Sequence, residues 1–408
     1  MEKRYLMLKG KTVVLGVTGS IAAYKMANVA SSLIKMGADV HVVMTKNATN
    51  FINPITFETL TNHKCLVDTF DRNFQFHVAH VSLAQAADVM LIAPASANII
   101  GKMANGIADD MLSTMALAAT CKIIVAPAMN THMFENKIVQ DNIKKLADYG
   151  MEIISPATGR LACAAVGKGK LPDEEILIAH ILREIECEKD LLGKKVVITA
   201  GPTREKIDPV RFISNHSSGK MGYAIAEDAM LRGASVTLIS GPVSIKPPMF
   251  VNVVDIESAK DMYDAVMEHS ADADIIIKAA AVADYTPVVK SDEKIKKSDD
   301  DMSIALERTN DILKALGAKK RDNQVICGFS METNNMLENS RKKLISKNCD
   351  MIAANNLKDA GAGFGVDTNL ITLITANEIK ELDLMSKKEA GHKILDEALR
   401  ILSEKQSV

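Results

Sequence analysis

The 408-residue chain carries a formal charge of -2, with 47% apolar and 25% charged residues. That balance excludes a disordered or fibrous protein and gives no overall field for nucleic acid or an anionic membrane surface. One core would be overgrown at this length, so two domains of about 200 residues each are expected.

The amino-terminal MEKRYLMLKG lacks an apolar signal core, and no uncharged apolar run reaches the ~18 residues of a membrane span. A cytoplasmic protein is the expectation. Residues 11–17 (KTVVLGV) form a short β-branched run that ends at Gly19-Ser20 and passes into a helical pattern over 21–37, a strand, tight turn and helix in succession. Further strands are predicted at 39–45 (DVHVVMT), 87–96 (ADVMLIAPAS) and 122–130 (KIIVAPAMN). Apolar runs of this length between helical segments indicate a parallel sheet covered on both faces.

The segment 173–192 (DEEILIAHILREIECEKDLL) reads as a charged amphipathic helix, and Gly193 precedes a new strand, KKVVITAGPT. The domain boundary therefore falls near 190, giving domains 1–190 and 191–408. The pattern then restarts with helix 222–233 and strands 234–240, 273–282 and 350–356. The fold class is α/β, two tandem doubly wound Rossmann-like domains, each with its ligand crevice at the carboxyl ends of the strands. The polar, lysine-rich stretch 284–303 reads as a mobile loop. Cysteines 65, 121, 163, 187, 327 and 349 show no zinc spacing, which leaves each as a small core hydrophobe or a single reactive thiol.

GVTGSIAAYK at 16–25 places a glycine turn before a helix N-terminus, where free N–H groups suit a phosphate. The same turn also wants glycine for steric reasons alone. Small residues, hydroxyls and amides recur after strands in MTKNATNFI, APASAN, NGIADDMLST and APAMNTHM, the makings of a snug polar pocket. With HVSLA at 80–84, their order over nearly all of residues 10–175 resembles the flavin-containing cysteine decarboxylases, the family of phosphopantothenoylcysteine decarboxylase.

The resemblance implies FMN held against Gly19, Ser20, Thr45, Ser96 and Asn98. It implies His80 as the catalytic base, His77 being a neighbour outside the pattern, and Asn130 on the substrate carboxylate. A departing carboxylate is better held by neutral amides than by a salt bridge, which would stabilise the ground state. It also implies that Cys163, in GRLACAAVGKGKLPD, donates the proton of the final reductive step from a segment closing over the substrate. Two positions depart from the family pattern, Ala164 where Gly is common and Lys170 where Arg is.

In the second half, ITAGPTREKIDPVRFISNHSSGKMG at 198–222 offers a tight turn, an amide and hydroxyls immediately before a helix. A bare phosphate-binding loop is the reading from the residues alone. With KAAAVADY, EKIKK, NDIL, GFSMETN and the lysines of RKKLISKN, the string resembles the phosphopantothenate-cysteine ligase domain. The resemblance implies that Asn215 stabilises an acyl-nucleotide intermediate. It implies CTP bound by Ala280, Asp284, Lys294, Asn310, Asp311, Ile312, Leu313, Phe329, Lys343 and Lys347, with magnesium bridging phosphates.

Together the two likenesses imply an enzyme of coenzyme A biosynthesis that joins cysteine to 4'-phosphopantothenate and decarboxylates the product. The family assembles as trimers of the flavin domain and dimers of the ligase domain, up to dodecamers, so a homo-oligomer is expected. A nicotinamide reductase in the second half is disfavoured, because no GxGxxG with an acidic residue about 20 positions on follows residue 190. A flavin-binding regulatory protein is disfavoured by the joint presence of His80, Asn130 and Cys163.

Overall fold

A computed structural model describes residues 7–69, 79–160, 166–296, 302–332, 335–356 and 366–407. The side chains of Ala79, His80, Arg160, Val166, Glu332 and Asn356 fall outside that description. The chain divides into two compact units, Met1–Glu188 and Lys189–Val408.

The first unit is built on a parallel sheet of β1 (Thr12–Val17), β2 (Asp39–Met44), β3 (Val89–Ala95), β4 (Lys122–Pro127) and β5 (Glu152–Ile153), in the order β2-β1-β3-β4-β5. Because side chains alternate along a strand, Val13, Leu15 and Val17 of β1 enter one apolar cluster and Val14 the other. The first cluster is closed by helices Met26–Lys35 and Glu174–Ile185, the second by Ala97–Ala104, Met111–Ala118 and Lys137–Asp148. Met26, Val29, Ala30 and Leu33 recur at helical spacing and are fully buried. Each of the larger ones contributes roughly 1.5–3 kcal/mol of transfer free energy. Covered faces explain why the strands read as unbroken apolar runs. The predicted helix at 21–37 begins as a 3-10 turn, Ile21–Lys25, before the α-helix proper.

A hairpin of β6 (Ala157–Arg160) and β7 (Val166–Lys170) follows. The five residues joining its strands, Cys163 among them, lie outside the described residues.

The second unit repeats the plan. Its main sheet holds β8 (Lys195–Ala200), β9 (Ser235–Ser240), β10 (Asn252–Asp255), β11 (Ile275–Lys278), β12 (Val325–Glu332), β13 (Met351–Asn356), β14 (Ile371–Thr375) and β15 (Ile379–Glu381). The order is β10-β9-β8-β11-β12-β13-β14-β15, parallel as far as β13 and antiparallel thereafter. One face carries helices Ala259–His269 and Ile312–Lys319. Helix Lys220–Leu231 packs against the 20-residue helix Lys387–Gln406, which opens with a Ser386/Glu389 capping box. Both doubly wound units agree with the fold class read from the sequence. Among the described residues no helix is long and apolar enough to cross a membrane.

The stretch 284–303 is less free than its composition suggests. Residues Tyr285–Pro287 pair with Leu306–Arg308, and the Ser291 amide donates to the Ile207 carbonyl. The buried Asp208 carboxylate accepts from the Ile295 amide at 3.2 Å, while Arg211 donates to the Ile295 carbonyl at 2.5 Å. Residues 297–301 of the predicted loop lie outside the described residues.

Candidate active sites

In an open parallel sheet, ligands lodge beyond the carboxyl ends of the strands where the strand order reverses. In the first unit that point lies between β1 and β3. Here the chain leaves β1 through Thr18, Gly19 and Ser20. The buried Thr18 hydroxyl donates to the Pro94 carbonyl at 2.7 Å and accepts from the Ser96 amide at 3.0 Å, so the turns after β1 and β3 are locked together. A Cβ on Gly19 would lie 2.8 Å from the Cβ of Asn47, because the loop after β2 closes over this turn. That loop is held in turn by Thr45, whose hydroxyl accepts from the Ala48 amide at 3.3 Å.

Ser20 accepts from the Ala22 amide at 3.4 Å, and Ser96 caps helix Ala97–Ala104 by accepting from the Ile99 amide at 3.5 Å. Asn98 is exposed in the first turn of that helix. Gly19, Ser20, Thr45 and Ser96 are thus gathered at the crevice, where small side chains and turn amides fit a flat phosphorylated ligand.

The strand ends of β3 and β4 meet through the Ala128 amide, which donates to the Ala95 carbonyl at 3.0 Å. Asn130 follows and caps Thr131–Glu135, its Oδ1 accepting from the His132 amide at 2.9 Å. The hairpin docks on this segment, with the Met129 amide donating to the Gly169 carbonyl at 3.0 Å. Of the other decarboxylase residues named from sequence, His80 lies in helix Ala79–Ala86 with its side chain undescribed, and His77 and Cys163 lie outside the described residues.

In the second unit the order reverses between β8 and β11. Asn215 bridges this point: its Nδ2 donates to the Ala281 carbonyl at 2.7 Å, and its Oδ1 accepts from the Ser217 amide at 3.0 Å. The Ser214 hydroxyl donates to the Thr203 carbonyl, and the Thr203 hydroxyl accepts from the Ala283 amide. The SNHSS segment is thereby pinned across the crevice, ahead of helix Lys220–Leu231.

Beside it opens a cavity of about 560 Å³ lined by Asp284, Asn310, Asp311, Ile312, Leu313, Lys343 and Lys347, seven of the ten nucleotide residues expected from sequence. Lys278, Arg308, Thr309 and Lys314 also line it and went unassigned in the sequence. Five cationic side chains therefore face two carboxylates, a composition suited to a polyanion. Lys343 donates to the Phe329 carbonyl at 2.7 Å, and Lys347 pairs with Asp311 at 2.5 Å. Asp311 also caps helix Ile312–Lys319 through the Lys314 amide at 2.9 Å. Burial pushes the Asp311 carboxyl up, but Lys347, the cap and the lysines nearby more than offset it and hold it below its ordinary value.

The remaining three expected residues lie elsewhere. Phe329 lines an adjoining small cleft with Ser217 and Asn355, Ala280 is buried with its amide on the Thr199 hydroxyl, and Lys294 is exposed outside the cavity lining.

Lys278 ends the buried strand β11 inside this cavity. Burial, and then the Lys343 charge, bring its pKa down from 10.5 to about 8, against the pull of Asp311 and Asp284. The folded chain thus binds this proton less tightly than the unfolded chain does. The cost of enclosing the charge is present in full below about pH 8 and fades as pH rises towards 10.5. A Lys278→Met variant should melt at least ~2–4 °C higher at pH 6.5, the shift expected of about 1 kcal/mol in a domain of this size. The gain should shrink at pH 9.5, and a gain unchanged by pH would acquit the ammonium.

Comparison with known proteins gives a consistent picture. A flavoprotein family model matches residues 1–186, and the model described as DNA/pantothenate metabolism flavoprotein C-terminal domain matches residues 191–402. The chain is 48% identical over 395 residues to the coenzyme A biosynthesis bifunctional protein CoaBC of Bacillus subtilis, covering 96% of this chain and 97% of that protein. It is 43% identical over 390 residues to the protein of the same name from Vibrio vulnificus, covering 95% and 97% respectively. A cysteine/cysteine sulfinic acid decarboxylase from an unknown prokaryotic organism is 44% identical over 357 residues, covering 86% of this chain and 99% of that protein.

Proposed function

The chain belongs to the family of coenzyme A biosynthesis bifunctional proteins, and on that premise we propose that its second unit joins cysteine to 4'-phosphopantothenate and its first decarboxylates the product. The observation that carries the reading is the cavity at the strand-order reversal of the second unit, where five cations stand beside the pinned Asn215 segment.

The first unit matches the flavoprotein family model, and the flavin of our reading is FMN. Gly19, Ser20, Thr45, Ser96 and Asn98 hold it at the crevice described above. Bound there, the flavin supplies a two-electron oxidation of the substrate's thiol end and its reversal, so no external oxidant is consumed. Asn130 holds the carboxylate by a neutral amide, His80 takes the proton, and Cys163 returns one at the end.

In the second unit the triphosphate of CTP, carried with magnesium, occupies the cationic cavity against Lys343 and Lys347. The carboxylate of 4'-phosphopantothenate attacks the α-phosphate and pyrophosphate leaves, assisted by Lys294. Asn215 steadies the acyl-cytidylate until the amine of cysteine attacks its acyl carbon and CMP departs. Ala280, Asp284, Asn310, Asp311, Ile312, Leu313 and Phe329 complete the nucleotide site. The enzyme works in the cytoplasm as a homo-oligomer, and Ile21, Tyr24, Phe51 and Ile55, large apolar side chains exposed on the first unit, support an association there.

Incubation of the full chain with 4'-phosphopantothenate, cysteine, CTP and magnesium should give 4'-phosphopantetheine and CMP by mass spectrometry. A Cys163→Ala variant should stop at the decarboxylated, oxidised enethiol. Accumulation of phosphopantothenoylcysteine in the wild type would overturn the decarboxylase half, and failure to join the substrates would overturn the ligase half.

A further inference from the structure

Three side chains with metal-ligating chemistry converge at a place the two reactions do not use. Asp39 opens the edge strand β2, His41 lies two residues on along the same strand, and His63 follows helix Pro54–Thr61. The Nε2 of His63 lies 2.6 Å from Asp39 Oδ1, and the Nε2 of His41 lies 3.1 Å from Asp39 Oδ2. The two imidazoles are stacked with centroids 4.0 Å apart, so both ring nitrogens face one carboxylate from the same side. All three ligand atoms fall within 4.8 Å of one another. The cluster stands at the amino end of β2, whereas the flavin crevice lies past its carboxyl end at Thr45.

We propose that Asp39, His41 and His63 form a binding site for one divalent transition-metal ion, zinc. Two imidazole nitrogens and a carboxylate oxygen are ligands of the type that zinc takes, and tetrahedral bonds of ~2.1 Å set two ring nitrogens about 3.4 Å apart, within the span of this cluster. A fourth position is open to water.

The consequence is mechanical. Residues after His63 cover the exposed edge of β2: the Leu66 amide donates to the Val42 carbonyl at 3.0 Å, and the Met44 amide donates to the Leu66 carbonyl at 2.8 Å. An ion bound by His41 and His63 fastens that covering segment to the strand and thereby to the loop that closes on Gly19. Because only the folded chain brings the three ligands together, zinc stabilises it by mass action.

The full chain, stripped with a chelator, is titrated with zinc chloride by calorimetry near pH 7.5, above the ordinary imidazole pKa of about 6.5. The same titration is run on His63→Ala and on the His41→Ala/His63→Ala double variant. The wild type should take up one more equivalent per chain than the double variant, and His63→Ala should bind that equivalent at least ~10-fold more weakly. Zinc should also raise the melting temperature of the wild type more than that of either variant. Circular dichroism checks folding, with His63→Gln in reserve should the alanine variant misfold. Equal uptake by wild type and both variants overturns the site, and reduces the cluster to two imidazoles each donating a hydrogen bond to Asp39.

Discussion

Asn215→Ala should lower the rate of ligation by ~10²–10³-fold, the scale on which a single preorganised donor at developing charge acts. Its amide spans the crevice, donating to Ala281 beyond β11 and accepting from Ser217 in the segment ahead of helix Lys220–Leu231. Truncation leaves a carbonyl and an N–H without these partners and frees the segment whose Ser217 and Ser218 line the small cleft with Phe329. Decarboxylation of supplied phosphopantothenoylcysteine should be unaffected, which separates the effect from general misfolding. Asn215→Asp sharpens the test, since it keeps the acceptor for Ser217 but replaces the donor with a negative charge, and it should be equally inactive. A raised KM with unchanged kcat in both variants would mean that Asn215 contributes only to ground-state binding.

Gly169→Ala should cost the decarboxylase ~10²-fold or more, as expected when reacting groups are displaced by about an ångström. Gly169 has φ +132°, a region that side chains rarely adopt, and a Cβ there would stand 2.3 Å from the Met129 carbonyl oxygen. A Cβ has no rotamer by which to escape. The hairpin must lift from the Met129–Asn130 segment, and the strand that leads from Cys163 goes with it. Ligation should continue at its normal rate, and flavin absorbance per chain should be kept, because the bonds that lock the turns after β1 and β3 together, Thr18 to Pro94 and Ser96 to Thr18, involve no hairpin residue. Full decarboxylation in this variant would show that hairpin docking has no part in the reaction.

Much of the architecture was legible because both faces of each sheet are covered, so the strands announce themselves as continuous apolar runs. The antiparallel β14 and β15 were missed: β14 is five residues interrupted by threonine and β15 only the three residues Ile379–Glu381, too short for such a run, and the helix Lys387–Gln406 went unread. The polar composition of 284–303 suggested looseness, yet composition does not reveal that Asp208 and Arg211 hold Ile295 by its backbone. Ser20, Ser96 and Asn130 could be found by their place after strands. What no sequence displays is that each already serves its own backbone as a cap or turn acceptor. Lys278 carried a readable signal, a charge closing the apolar run IIIK, but its meaning depends on Lys343 and Asp311 arriving from other elements.

The ion pair between Lys347 and Asp311 sets a condition on whatever enters the second cavity. An arriving anion cannot simply occupy Lys347; it has to displace a resident carboxylate that is itself fixed by the helix it caps. Capture is therefore an exchange of counter-ions rather than the filling of bare positive charge. A small anion with one contact to offer gains little from such a trade, whereas a ligand that engages several of the surrounding cations together can outbid Asp311. The free chain so carries its own discrimination in favour of multivalent polyanions.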